Sequence, residues 1–334
     1  MDDTRGRARQ HLGASLALYD ALSRAGGGHP AAARVRRMLD RPDRLTATDE
    51  PFAMKYDGYL AAGTRAAWGF TVNSRFDGRA LSEFLGEAID AAGITNEAEV
   101  QRAATRLSAA LPLPSVATLS FAFDDPGAPP RLKVYFQEDA WGAGVGSARE
   151  VDEALAAAEL GCALPAWLDG APSVGVVTLE APPGRAPRAK AYVGAAGLEG
   201  AFAGAPEDVR SLADQMAAAC PLASTYYYLT VRLERGEAPR YAVNKIYDLA
   251  RQRFGADQRA TLEAFRDVSG LFRAAGRTKE LRAVLSELRR PDAHQRIPRV
   301  IPTASAIEDG GRSVDFYCAA FALDPDGGRA RVPA

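Results

Sequence analysis

Two short segments of this chain carry the same unusual alternation. Arg131, Lys133 and Tyr135 alternate along RLKVYF, and Arg188, Lys190 and Tyr192 alternate along RAKAYVG. Side chains two apart on a strand share one side of the sheet. Each segment therefore presents two cations and a phenol where a half-buried strand ordinarily presents valine or leucine. Clustered arginines and lysines can hold a diphosphate without a metal, through charge-assisted and bidentate bonds. Phenol faces beside them can stabilise a carbocation and keep water from it. Basic residues around a leaving diphosphate, with rings around the carbon left behind, make a prenyl-transfer site.

The elements that must position these residues repeat a theme: a strand pair, then a helix. The pairs are PFAMKYDGYL with TRAAWGFTVNS, SVATLSFAF with RLKVYFQE, SVGVVTLEA with RAKAYVG, ASTYYYLTVRLE with PRYAVNKIY, and RVIPTASAIE with RSVDFYCAAFAL. Gly, Pro and Asp clusters such as DDPGAPP, PPGRAP, RGEA and DGG bound the runs and mark hairpins. Between pairs lie ALSEFLGEAIDAAG, AREVDEALAAAEL, PEDVRSLADQMAAA, and the two segments ADQRATLEAFRDVSGLF and KELRAVLSELRR. Their apolar residues recur at three-and-four spacing, so they are expected to be helices. The expected fold is α+β: one antiparallel ten-stranded β-barrel of repeated hairpin–helix units, with the helices outside. An open sheet covered by helices on one side is the alternative. The Pro/Gly stretches are too short to separate domains, so residues 1–334 read as one domain with an N-terminal helical segment over 1–48.

Bulk properties narrow the partners. The 334 residues carry 41 Lys and Arg against 42 Asp and Glu, so no global field points to nucleic acid or an anionic membrane. Cys162, Cys220 and Cys318 are far apart without CxxC spacing, which fits a reducing cytoplasm. The N-terminus reads as a surface helix rather than a secretion signal, and no apolar run reaches membrane-span length. The expectation is a cytoplasmic monomer or homodimer acting on small molecules.

Other motifs carry less. Gly142-Ala143-Gly144-Val145-Gly146-Ser147 follows a strand and precedes a helix, the context of a dinucleotide loop, but serine stands at the third glycine. An NAD(P)-dependent oxidoreductase would need that loop; a flexible helix-entry loop is the ordinary explanation and the favoured one. Asp124-Asp125 lies in a turn without a second acidic set, and His11, His29 and His294 are scattered, so no metal site is expected. Neither a P-loop nor a Gly-x-Ser-x-Gly elbow is present. Tyr226, Tyr227 and Tyr228 read first as core, although Tyr226 and Tyr228 with Trp68 could line an aromatic acceptor pocket.

The strand pairs and helices, with RLKVYF, RAKAYVG and the late VDFYCAAF, resemble the ABBA-type (PT-barrel) aromatic prenyltransferases of the dimethylallyltryptophan synthase kind, from about Asp49 to Phe321. The resemblance implies a ten-stranded barrel around a chamber. It implies transfer of a dimethylallyl or longer prenyl group from its diphosphate to an aromatic acceptor, often an indole, as in secondary metabolism. Prenyl diphosphate would be a co-substrate, with no cofactor and no obligatory Mg. It assigns diphosphate binding to Arg65, Lys133, Arg188, Lys190 and Arg240, and cation shielding to Tyr135, Tyr192 and Tyr317. On the fourth hairpin the tyrosine expected after Arg240 is Ala242, for which Tyr241 or Tyr247 are the nearby substitutes. The chain also departs at the family's Pro-Phe-Glu-x-Ser, reading Pro51-Phe52-Ala53-Met54-Lys55. Alanine replaces the proton-accepting glutamate, which leaves Glu50 and Asp57 as the nearest bases and Lys55 as a cation at that position's parity. A non-catalytic barrel binding an anionic aromatic or isoprenoid ligand is the alternative this departure raises.

Overall fold

The computed structural model describes residues 16, 19–20, 29–40, 52–60, 67–77, 81–112, 116–123, 128–137, 144–170, 173–195, 204–219, 221, 226–246, 258–274, 276, 278–279, 281–282, 286, 299–307 and 312–319, with the backbone alone over 52–60, 67–77, 81–83, 116–117, 195, 226, 245–246, 258–264, 299–307 and 312–319. Ten strands are β1 (Phe52–Leu60), β2 (Ala67–Asp77), β3 (Val116–Phe123), β4 (Arg131–Gln137), β5 (Val174–Ala181), β6 (Arg188–Ala195), β7 (Tyr226–Leu233), β8 (Arg240–Ile246), β9 (Arg299–Ile307) and β10 (Arg312–Ala319). The α-helices whose bounds fall among the described residues are α1 (Ala32–Leu39), α2 (Leu81–Ala92), α3 (Glu97–Ala110), α4 (Ala148–Ala157), α5 (Glu207–Ala219) and α6 (Gln258–Ala274). Every strand is antiparallel to both neighbours in one sheet, and β1 pairs with β10 as well as β2, so the pairings run round a closed barrel.

The sheet is two-faced, and the register shows how. On β3 to β8 one row is Leu119, Phe121, Phe123, Leu132, Val134, Phe136, Val177, Leu179, Ala189, Ala191, Val193, Leu229, Val231, Leu233 and Val243, all buried in one continuous apolar core. Helices cover that row: α2 packs on β3 and β4, α3 and α4 on β5, α5 on β8 and β9, and α6 on β9. Their own apolar stripes meet it, as Val100, Ala103, Ala104 and Leu107 do from α3. Burying such a row at about 25 cal/mol per Å² is what holds the sheet against its helices. The intervening row is polar, and it takes no part in that core. Helix α3 was not expected from the sequence: half of its buried stripe is alanine, so the apolar contrast along it is weak.

The glycine-rich loop before α4 has a packing role. Val145 N–H donates to Val174 O at 2.8 Å and Val174 N–H donates to Gly146 O at 2.9 Å, which ties the loop to the start of β5. Gly144 has φ +80°, and a Cβ there would lie 2.7 Å from Val174 O. Ser147 then caps α4: its hydroxyl accepts from Glu150 N–H while the Glu150 carboxylate accepts from Ser147 N–H at 2.8 Å. Close backbone approach therefore accounts for glycine at 144 without a dinucleotide. His29 likewise serves the fold, its Nδ1 accepting from Ala31 N–H at 3.1 Å and its Nε2 donating to Ala128 O at 2.6 Å. His11, His294, Asp124 and Asp125 lie outside the described residues.

Replacing Gly144 by alanine forces a left-handed backbone on a residue with a Cβ, at about 1–2 kcal/mol, before the clash is counted. Denaturant unfolding of Gly144→Ala should show a stability loss larger than that; an unchanged midpoint would remove this account of the loop.

Candidate functional site

The polar row converges on one carboxylate. Glu180 on β5 has no exposed surface. Register sets it between Lys133 of β4 and Arg188 of β6, and one step along, Thr178 lies between Tyr135 and Lys190. Lys190 Nζ is 2.5 Å from Glu180 Oε1, Arg188 Nε donates to Oε2 at 2.7 Å, and Arg131 reaches to 3.8 Å. Lys133, 6% exposed, adds its charge from the other flank. Arg188 also donates through Nη1 to Glu234 at 2.7 Å. Arg232 of β7 lies opposite Lys190 in the register. Among the described side chains, five cations and two carboxylates thus leave the cluster three charges positive with every group ionised.

The protonation behaviour follows. Burial alone would raise the Glu180 carboxyl, but Lys190, Lys133, Arg131 and Arg188 together hold it well below its usual range. Burial pushes the Lys190 ammonium down to about 7; Glu180 opposes that shift, and Lys133, Arg232 and Arg131 add to it. Arg232 is lowered by burial and then by Arg188.

Four buried polar atoms at this cluster have no hydrogen-bond partner: the donors Ser120 Oγ, Thr178 Oγ1 and Arg232 Nε, and Glu180 Oε1, which is met by the Lys190 charge alone. Ser120 lies opposite Lys133, and Thr178 opposite Lys190. Buried donors left unpaired are costly. Hydroxyls and a guanidinium edge among cations are the donor set an oxyanion with several oxygens can satisfy.

Beyond the cations come phenols. Tyr135 and Tyr192 approach to 6.3 Å between ring centroids, their planes tilted by 38°. Both are only partly buried, as are Arg131, Thr230 and Asn244 of the same row, while the core residues of the helix-facing row are buried. The polar row thus borders solvent-reachable space.

The sequence expectations fare unevenly. Lys133, Arg188 and Lys190 come together at Glu180, with Tyr135 and Tyr192 beside them. Arg240 does not join them: it is exposed at the end of β8 and paired with Glu237 at 3.2 Å, and Arg232 holds the corresponding place in the cluster. Tyr241 does not substitute for a phenol at 242, since it belongs to the helix-facing row and its ring lies 6.2 Å from that of Trp167. After Ala242 the row continues with Asn244, whose amide donates to Thr230 Oγ1 at 2.7 Å. Tyr228, 6% exposed, lies opposite Asn244 in the polar row, whereas Tyr227 packs in the core. Trp68 pairs with Gly58, out of step with the polar row, which runs through Gly69 and Thr71 on that strand. Asp57, Tyr226 and Tyr317 are placed by backbone alone, Asp57 opposite Asp315 and Tyr317 opposite Lys55. Glu50, Arg65 and Tyr247 lie outside the described residues. Glu180 and Arg232 were not foreseen. Both sit on first strands of hairpins, where the alternations Val176–Thr178–Glu180 and Tyr228–Thr230–Arg232 were the available signal.

Among the described residues no group of His, Cys, Asp and Glu is arranged to hold a metal ion, and no helix is long and apolar enough to cross a membrane. Cys162 is free, its thiol pushed up to about 11 by burial.

Lys190 makes the cluster readable in stability. Between its folded value of about 7 and the 10.5 of an exposed lysine, the unfolded chain binds one more proton at this site. Stability should therefore rise with pH through that window. The stability difference between wild type and Lys190→Met, followed by urea unfolding at pH 6.5 and 9.5, should move in favour of wild type at the higher pH. A constant difference would contradict the buried, depressed ammonium.

No protein-family model matches the chain, and no curated protein matches it by sequence. Solved structures do match. 5-Dimethylallyltryptophan synthase from Streptomyces coelicolor superposes with a TM-score of 0.65 at 17% identity, over 92% of this chain and 97% of that one. The prenyltransferase PriB, in a ternary complex with L-tryptophan and dimethylallyl thiolodiphosphate, gives 0.63 at 16%, over 96% and 98%. A 6-dimethylallyl tryptophan synthase gives 0.64 at 14%, over 97% and 99%. Along nearly its whole length, then, this chain has the fold of the ABBA-type prenyltransferases.

Proposed function

We propose that this chain is an aromatic prenyltransferase: it transfers a dimethylallyl or longer prenyl group from its diphosphate to an aromatic acceptor, of indole type, by electrophilic substitution. The observation that carries the reading is the positive cluster at Glu180 with its unpartnered hydroxyls, set beside paired phenols. In this reading Lys133, Arg188, Lys190 and Arg232, with Arg65 from the first hairpin, hold the diphosphate without an obligatory metal. The charge that develops on the leaving oxygens meets cations already fixed in place, so little reorganisation opposes ionisation. Tyr135, Tyr192 and Tyr317 face the allylic cation with their π-clouds. The acceptor attacks the allylic carbon, the carbon–oxygen bond to diphosphate having broken, and loses a ring proton to a base. Asp57 is the proposed base. It shares strand parity with Ala53 and pairs with Asp315 of β10 in the register.

Ala53 favours a second reading, a barrel that binds an anionic aromatic or isoprenoid ligand without turning it over. One experiment separates the two. Purified protein with chelator is incubated with dimethylallyl and geranyl diphosphates and a panel of indoles and phenols, with products read by mass spectrometry. Prenylated product is expected, and Lys133→Ala should lower kcat/KM about a hundredfold. Binding of donor without product, from every acceptor, would leave only the second reading.

A further inference from the structure

Glu180 is a carboxylate inside an anion site, and its placement says what it is for. It has no exposed surface, while the cations that hold it do: Arg131 is 26% exposed, Lys190 12% and Arg188 11%. The carboxylate therefore lies behind the cations, and the cations stand between it and the space bordering the polar row. It springs from β5, the strand between the two that supply Arg131 and Lys133 on one side and Arg188 and Lys190 on the other. An anion that merely competed with ligand would sit on the exposed side of its cations.

We propose that Glu180 is the positioning residue of the anion site, the internal counter-ion that keeps Lys190 cationic and aims Arg188 and Lys190 toward the chamber. The inference rests on the diphosphate-site reading above. The groups facing Lys190 are Glu180 of β5, Arg131 and Lys133 of β4, Arg188 of its own strand and Arg232 of β7. Glu234, just past the end of β7, balances Arg188. Four of those neighbours are cations, and Glu180 is the carboxylate in direct contact. Without it, like charge and burial act together to strip the Lys190 proton. The site then presents one donor fewer to an incoming anion.

The test is titration calorimetry of the full chain with inorganic pyrophosphate, at constant ionic strength from pH 6 to pH 8.5. The ligand's own titration is common to every variant. Glu180→Gln should bind tenfold or more weakly than wild type at pH 7, where wild-type Lys190 is still partly charged, and the loss should shrink toward pH 6 as the variant's Lys190 begins to regain its proton. With arginine at 190, which keeps its charge throughout, Glu180→Gln should no longer cost affinity at pH 7. A Glu180→Gln loss equal at both pH values, or binding tighter than wild type throughout, would overturn the proposal. If Glu180→Gln fails to fold, Lys190→Arg alone decides: its affinity should fall less steeply with pH than that of wild type, and an identical slope would overturn the proposal. Absence of pyrophosphate binding by wild type would instead remove the diphosphate site on which the inference stands.

Discussion

Arg188, Lys190 and Glu180 form an ion cluster away from bulk water, and the architecture around it follows from what that costs. Removing such groups from water costs several kcal/mol per ion, which mutual attraction offsets only when geometry is good and other bonds are satisfied. Here Glu180 has the Lys190 ammonium at 2.5 Å and accepts from Arg188 at 2.7 Å, so its charge is met. Among the described residues the cations of the cluster outnumber its carboxylates, and Ser120 Oγ, Thr178 Oγ1 and Arg232 Nε have no hydrogen-bond partner beside them. A cluster organised for stability alone would neutralise itself. This one retains positive charge and spare donors, which a core tolerates poorly and an anion site requires.

The sheet carries this arrangement because its two rows divide the work. The helix-facing row supplies the burial, with Phe121, Leu132, Phe136, Leu179 and Val231 almost fully covered. The other row is thereby released from core packing and can be charged. Since side chains alternate strictly, a one-residue slip of β5 would send Glu180 into the helices and Leu179 among the lysines. The same apolar row that stabilises the fold fixes the register that assembles the site.

How much of this was legible in the sequence depended on where the information lay. Lys133 and Tyr135, or Lys190 and Tyr192, are two apart on one strand, so their shared face is a local property that periodicity reveals. Glu180 is not local: it ends the apolar run VGVVTLEA beside PPGRAP and resembles a turn acid until β4 and β6 are laid on either side. Arg232 was hidden in the same way behind Tyr226, Tyr227 and Tyr228, and Arg240 looked like its equal until the register put Arg240 at the rim. Helix α3 escaped for a different reason, since alanines at 103 and 104 give its buried stripe little contrast. Strand identity is written in short windows; cross-strand partnership is set by turn lengths and barrel closure, which act over the whole chain.

The spacing within each strand also orders the space the polar row encloses. Two residues advance a strand by about 6.5–7 Å. Tyr135 and Tyr192 therefore lie one such step beyond Lys133 and Lys190, further from the hairpin tips, and the two rings approach each other because β4 and β6 flank the same β5. Another step along, β7 and β8 contribute Tyr228 and Asn244. Passing along the row from the hairpin tips, positive charge gives way to π-faces and then to a hydrogen-bonding amide and phenol. On the function proposed above, a diphosphate head meets the cations and the prenyl chain the rings. Because the gradient arises from repeating one strand pattern, exchanging the far end of the row alters the partner met there without disturbing how the head is held.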